Sequence, residues 1–144
     1  MEDVTTTLKT VWNGDITGNG NIKTDFLETD LAIPKNLGGN GEGTEPKELL
    51  ISSATACFVM TLTGMLQGRK IAVEKITVDT EATKTDEEFN ILHSPHITLA
   101  ADATNEHIES AQRTIELANE KCEVGNILRQ AGIQIKADGE VSTN

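Results

Sequence analysis

The spacing of hydrophobic positions changes period several times along the chain. Over residues 4–33, Thr, Val, Leu and Ile are punctuated by Asn13-Gly14 and by Gly18-Asn19-Gly20-Asn21. Asn-Gly between extended segments marks a hairpin, so three short strands are expected near 4–12, 20–25 and 27–33. Gly38-Gly39-Asn40-Gly41-Glu42-Gly43 reads as a loop. Thr44 is then expected to cap a helix with Glu45 and Pro46 in its first turn. From Leu49 to Gly68 the chain carries no charge. Ile71 and Val73 lie in one phase and Ile76 and Val78 in the other, which predicts a bulge near Glu74-Lys75. Phe89, Ile91, Ile97, Leu99 and Ala101 share the odd positions, so one face of a long strand is apolar. Pro95 in that run points to an edge strand or a break. A second helix is expected over 105–121, because Ile108, Ala111, Ile115, Ala118 and Cys122 recur at steps of three and four. A short helix near 124–131 follows, stopped by Gly132, and Ile133, Ile135 and Ala137 alternate as a last strand. The resulting order, β-β-β-α-β-β-α-β, lacks regular βα alternation, so the class is α+β.

The uncharged run 49–68 is long enough to span a bilayer. Ser52, Ser53, Thr55, Thr61, Thr63 and Gln67 punctuate it and no aromatic belt flanks it, so the expectation is a soluble helix buried on all sides. The 144 residues suit one domain over 1–144. With 23 Asp+Glu against 12 Lys+Arg the net charge is −11, which repels a phosphate backbone. The aromatic residues are Trp12, Phe26, Phe58 and Phe89, so base stacking is poorly supplied and nucleic-acid binding is excluded. The N-terminal MEDVTTTLK has neither a basic nor an apolar secretory segment. A cytoplasmic location without membrane contact is the expectation.

Candidate chemistry narrows to the two cysteines, Cys57 and Cys122. Neither forms a CxxC, and His93, His96 and His107 do not join them at zinc spacing, so no metal site is expected. His93 and His96 fall on opposite faces of a strand, and structural or surface roles suit all three histidines. The Gly-rich loop lacks the Gly-Lys-Ser/Thr ending of a phosphate loop, and Glu42 and Glu45 would repel phosphate. Two lone thiols leave two readings: small buried hydrophobes, or a redox pair.

Trp12-Asn13-Gly14-Asp15-Ile16 with Gly20, then Gly43-Thr44-Glu45-Pro46-Lys47-Glu48-Leu49-Leu50, Ala56-Cys57-Phe58 and Lys121-Cys122-Glu123-Val124, occur in this order along most of the chain. In these motifs the sequence resembles the OsmC/Ohr family, the osmotically inducible protein C and organic hydroperoxide resistance proteins. The resemblance implies an intertwined homodimer with two central helices buried between sheets. It implies thiol-dependent reduction of organic hydroperoxides, in oxidative-stress defence, without a cofactor. By motif match Cys57 is the peroxidatic cysteine, oxidised to a sulfenic acid. Cys122 would close a Cys57–Cys122 disulfide, which a dithiol such as a lipoyl group would reduce.

One feature departs from that pattern. The family activates its cysteine with an arginine from the N-terminal region and a glutamate ten residues before the cysteine. Here no arginine precedes Arg69, and the position ten before Cys57 is Lys47, with Glu48 next to it. Burial raises a thiol pKa, and Cys57 lies beyond the first turn of its own helix, so a cation is expected nearby. Lys47, or Lys35 in the preceding loop, would supply it, with Glu48 orienting it. In a continuous helix Lys47 and Cys57 are about 15 Å apart along the axis, so they meet only through a helix break or across a dimer. The other reading is a weak or silent member that binds a small hydrophobic ligand at the dimer interface, or a structural stress protein with inert thiols.

Overall fold

The computed structural model describes residues 3–144, which form two compact units meeting in sequence at Leu50/Ile51. The first holds an antiparallel meander of β1 (Lys9–Asn13), β2 (Asn19–Lys23) and β3 (Glu28–Leu31), followed by a 3-10 turn at Lys35–Leu37. The β1–β2 register pairs Asn13 with Asn19 and Trp12 with Gly20. The Asn-Gly signal therefore opens a longer loop rather than a two-residue turn. Asp15 organises that loop, accepting from the Thr17 amide at 2.9 Å and the Thr17 hydroxyl at 2.7 Å. Among the described residues of this unit, only Gly20 and Ala32 are buried.

Helix α1 (Pro46–Gly68) begins in the first unit and continues into the second. Its start corrects the expected cap. The Glu45 carboxylate accepts from the Glu48 amide at 2.6 Å, whereas the Thr44 hydroxyl bonds that of Thr29 at 2.9 Å. Acidic capping suits the positive end of the helix dipole. By length and composition α1 could cross a membrane, with a mean hydropathy of 1.8 over its best window. In this chain it buries one stripe, Ala54, Phe58, Leu62 and Leu66, at steps of four. The expectation of burial on all sides is therefore not met within one chain. Ala56 is exposed, Met60 is 72% exposed, and open space lies over Gly64.

The second unit is built on a sheet with β5 (Phe89–Leu99) at its centre. Strand β4 (Val73–Lys84) pairs antiparallel on one side, with the expected bulge between Val73 and Lys75. On the other side β6 (Gln134–Ala137) and β7 (Glu140–Thr143) pair parallel to β5, one beyond the other. Pro95 thus sits in the central strand, not at an edge. The β6 pairing ends at His93 and the β7 pairing starts at His96, so Asp138-Gly139 faces the proline and no ladder bond is demanded of it. Gly139 is required there, since a Cβ would stand 2.1 Å from the Pro95 carbonyl oxygen.

The odd face of β5 is buried as its period of two predicts. It packs Ile97 and Leu99 with Phe58, Leu62 and Leu66 of α1 and with Ala111, Ile115 and Ala118 of α2 (Asn105–Lys121). A smaller cluster joins Ala54, Ile91 and Ile135 to Leu128 of α3 (Glu123–Gln130). The α+β class holds; α3 and the additional strand β7 complete the order.

Candidate active site

Two groups in the second unit draw attention, a thiol pair and a buried histidine. Cys57 is half-buried on α1, and Cys122 is 2% exposed in the same apolar cluster. Cys122 ends α2 and is also the N-cap residue of α3. Its φ of −65° and ψ of 117° turn the chain between the helices, and its Sγ accepts from the Gly125 amide at 3.4 Å. This placement follows from the α2 stripe, whose last member is Cys122.

Both cysteines are free, and each shifts the ionisation of the other. Burial pushes the Cys57 thiol up. Hydrogen bonds from the Cys122 thiol and from the Val124 and Glu123 amides oppose it, and the balance falls below the ordinary thiol value. The Thr61 hydroxyl also lies near the sulfur. Its single proton goes to the Cys57 carbonyl oxygen at 2.8 Å, so Cys122 and the two amides carry the effect. Cys122 moves the opposite way, to about 11, because it is buried and because it donates to Cys57. The two sulfurs thus differ: the surroundings shift Cys57 toward the thiolate and hold the proton on Cys122.

The first amides of α3 have no partner within their helix. The Gly125 amide donates to Cys122 Sγ, and those of Glu123 and Val124 favour the ionised form of Cys57. Side-chain motifs in the sequence could not point to these backbone donors. Arg129 was missed as well. Its guanidinium donates to Asn126 Oδ1 (2.8 Å), Asn119 Oδ1 (2.7 Å) and the Ile135 carbonyl (3.2 Å), and its charge lowers the Cys122 pKa. The spacing 122, 125, 129 places Cys122, Gly125 and Arg129 on one helical face, a signal the sequence does carry.

His93 is 1% exposed and stacks on Phe58 with ring centroids 4.8 Å apart. Its Nδ1 meets the Thr80 hydroxyl at 2.9 Å, which meets that of Thr55 at 2.7 Å. Burial, then the Arg129 charge, lower its pKa to about 4. His96 bonds Ser142, and His107 closes a capping box with Thr104. Among the described residues no cluster suited to a metal ion occurs.

The lysines stand in the first unit. Lys47 pairs with Glu45 at 3.1 Å, and Lys35 opens the 3-10 turn. Glu48 gives its amide to Glu45. The helix break on which a Lys47–Cys57 encounter within one chain depended is not present, since α1 runs unbroken from Pro46 to Gly68.

Fold and site thus define an α+β protein with two free cysteines in one apolar cluster at a helix junction. The chain belongs to the OsmC family: the model for OsmC-like proteins matches residues 39–138. It is 30% identical to the uncharacterized protein YmaD of Bacillus subtilis, over 92% of this chain and 95% of that one. It is 27% identical to organic hydroperoxide resistance protein-like 2 of Staphylococcus saprophyticus, over 94% of each. A crystal structure of an organic hydroperoxide resistance protein from Elizabethkingia anophelis, with crystallant-derived thiocyanate bound, superposes with a TM-score of 0.63 at 28% identity, covering 100% of both chains.

Proposed function

We propose that this protein is a thiol peroxidase for organic hydroperoxides, with Cys57 as the attacking cysteine and Cys122 as the resolving one. The observation that carries the reading is that Cys57 and Cys122 meet in one apolar cluster, with the Cys57 thiol shifted below its ordinary value and the Cys122 thiol above it. A peroxide-related role also agrees with the names of the Staphylococcus and Elizabethkingia relatives.

In the first step the Cys57 thiolate attacks one peroxide oxygen and the O–O bond breaks. The alkoxide leaves and takes a proton to become the alcohol, and Cys57 becomes a sulfenic acid. In the second step Cys122 loses its proton and attacks Cys57 Sγ. The S–O bond breaks, hydroxide leaves and is protonated to water, and a disulfide remains. A dithiol reductant, of the lipoyl class, then takes up the disulfide by two exchange reactions and is itself oxidised. The apolar cluster against which Cys57 packs, with Phe58 and Leu62 in it, suits an alkyl group better than bare hydrogen peroxide.

The working unit is a homodimer in the cytoplasm. The face of α1 carrying Ala56, Met60 and Gly64 supports this, because a second copy would cover it. The activating role falls to the α3 amides, with Lys47 or Lys35, oriented by Glu48, as the competing assignment.

The test is one equivalent of cumene hydroperoxide added to reduced protein, followed by intact and peptide mass spectrometry. Both thiols should disappear into a disulfide within one chain. In Cys122→Ser, Cys57 should stop at the sulfenic acid. Two intact thiols after treatment would overturn the peroxidase and leave the ligand-binding reading.

A further inference from the structure

We infer that Arg129 is a positioning residue for the second half of this reaction: standing beside Cys122 across Gly125, it favours Cys122 as the nucleophile that closes the disulfide. The inference rests on the peroxidase reading above. Its geometric basis is local to α3. A Cβ built on Gly125 would lie 3.4 Å from Arg129 Nη1 and 3.4 Å from Cys122 Sγ. Guanidinium and sulfur are therefore no farther apart than twice that distance, with only a hydrogen-sized side chain between them. The hydrogen bonds holding Arg129 end on neutral oxygens, two from asparagines and one from the backbone. They fix its direction without cancelling its charge.

The timing follows from what surrounds Cys122. Before oxidation, burial and the negative Cys57 sulfur both keep Cys122 protonated, and the Gly125 amide and Arg129 oppose them. The first step converts Cys57 into a neutral sulfenic acid. The Cys57 charge that held the proton on Cys122 disappears, while the Gly125 amide and Arg129 remain. Cys122 then becomes more acidic when its target has become electrophilic. Its thiolate attacks Cys57 Sγ, the sulfenic hydroxide leaves, and the released proton and hydroxide give water.

A cation beside a thiolate acts in two directions. It raises the fraction ionised, about tenfold per pKa unit. It also makes the sulfur a poorer nucleophile, with a Brønsted coefficient of roughly 0.4–0.5. The net gain near neutrality is then about threefold per unit, and it reverses once Cys122 is ionised regardless of Arg129. That reversal separates a charge effect from a structural one.

The experiment uses Arg129→Gln, Arg129→Lys and Asn119→Asp in the full chain. Asn119→Asp gives up the Asn119 amide's donation to the Ile135 carbonyl (3.1 Å) but keeps an acceptor for Arg129 and places a carboxylate on the guanidinium, so it reports even if Arg129→Gln does not fold. Reduced protein is mixed with excess cumene hydroperoxide, quenched at intervals, and scored for free thiols, trapped sulfenic acid and disulfide. Loss of the Cys57 thiol should scale with peroxide and change less than about twofold in all three variants. Disulfide closure should be independent of peroxide. At neutral pH it should be about threefold slower in Arg129→Gln and Asn119→Asp and close to the parent in Arg129→Lys. In alkali the Arg129→Gln closure should match or overtake the parent. Equal closure rates at all pH values, or Arg129→Lys as slow as Arg129→Gln, would overturn the inference. A parent that forms no sulfenic acid at all would instead overturn the peroxidase reading.

Discussion

Replacing Glu123 by proline removes one amide from the Cys57 sulfur and little else. Glu123 is the first residue of α3, where a helix amide has no intrahelical partner and proline is well accepted. The residue before a proline must be extended, and Cys122 already is, at φ −65° and ψ 117°. The helix should therefore survive. The lost group is one of two amides that favour the Cys57 thiolate, the other being that of Val124. Taking the ordinary net value of a hydrogen bond, about 1 kcal/mol, the thiolate population at neutral pH falls roughly fivefold. Glu123→Gln, which keeps the amide and removes the nearby negative charge, should not slow the reaction. The assay is the second-order rate of Cys57 with a hydroperoxide across pH, with thiolate absorbance as an independent reading. The comparison also includes Lys47→Ala and Lys35→Ala. If Glu123→Pro reacts at the parent rate while one lysine variant is tenfold slower, a lysine carries the activation and the reasoning from α3 is wrong.

Two further outcomes are expected. His93 is neutral when folded, with its pKa lowered to about 4 from 6.5, so unfolding takes up a proton between those values. Stability is then complete above pH 6.5 and falls as pH drops toward 4, by about 3 kcal/mol in all. Denaturant unfolding of the parent and His93→Gln at one protein concentration should show a stability difference that changes across this window; a constant difference refutes the assignment. The chain should also sediment as a homodimer whose unfolding midpoint rises with concentration, and a stable monomer at nanomolar concentration would contradict this.

What the sequence disclosed depended on whether a feature belongs to side chains with a period. The odd face of β5, the α2 stripe and the bulge at Val73/Lys75 are periodic, and each was legible. Strand β7 was not, because Glu140, Val141, Ser142 and Thr143 offer one apolar residue and no alternation. Pro95 misled because a proline reports only its missing donor. It cannot say that the neighbouring edge is split into two strands at that point. The α1 cap, expected at Thr44, falls one residue later, at Glu45, a shift that the residue types alone do not decide. The cysteines were legible as types and as the end of a stripe, but not as a pair shifted in opposite directions, since that depends on which backbone amides face each sulfur.

Under the α3 assignment, the group that activates Cys57 is of a different kind from an arginine. A thiolate can be stabilised by a cation or by oriented N–H dipoles, and the two differ once the charge is gone. After oxidation, Cys57 is neutral in both the sulfenic acid and the disulfide. A cation placed directly on it would then stand in an apolar cluster without its counterion, at a desolvation cost. Backbone amides carry no net charge, and those at a helix start are unpaired whatever the sulfur does. They can serve the thiolate and then stand beside a neutral sulfur with little penalty. The charge in this site is instead set nearer the second sulfur, at Arg129, and anchored on neutral oxygens. In the proposed reaction such a division, dipoles for the attacking thiolate and a cation toward the resolving one, would let each sulfur be ionised in turn without two thiolates together in the same buried space.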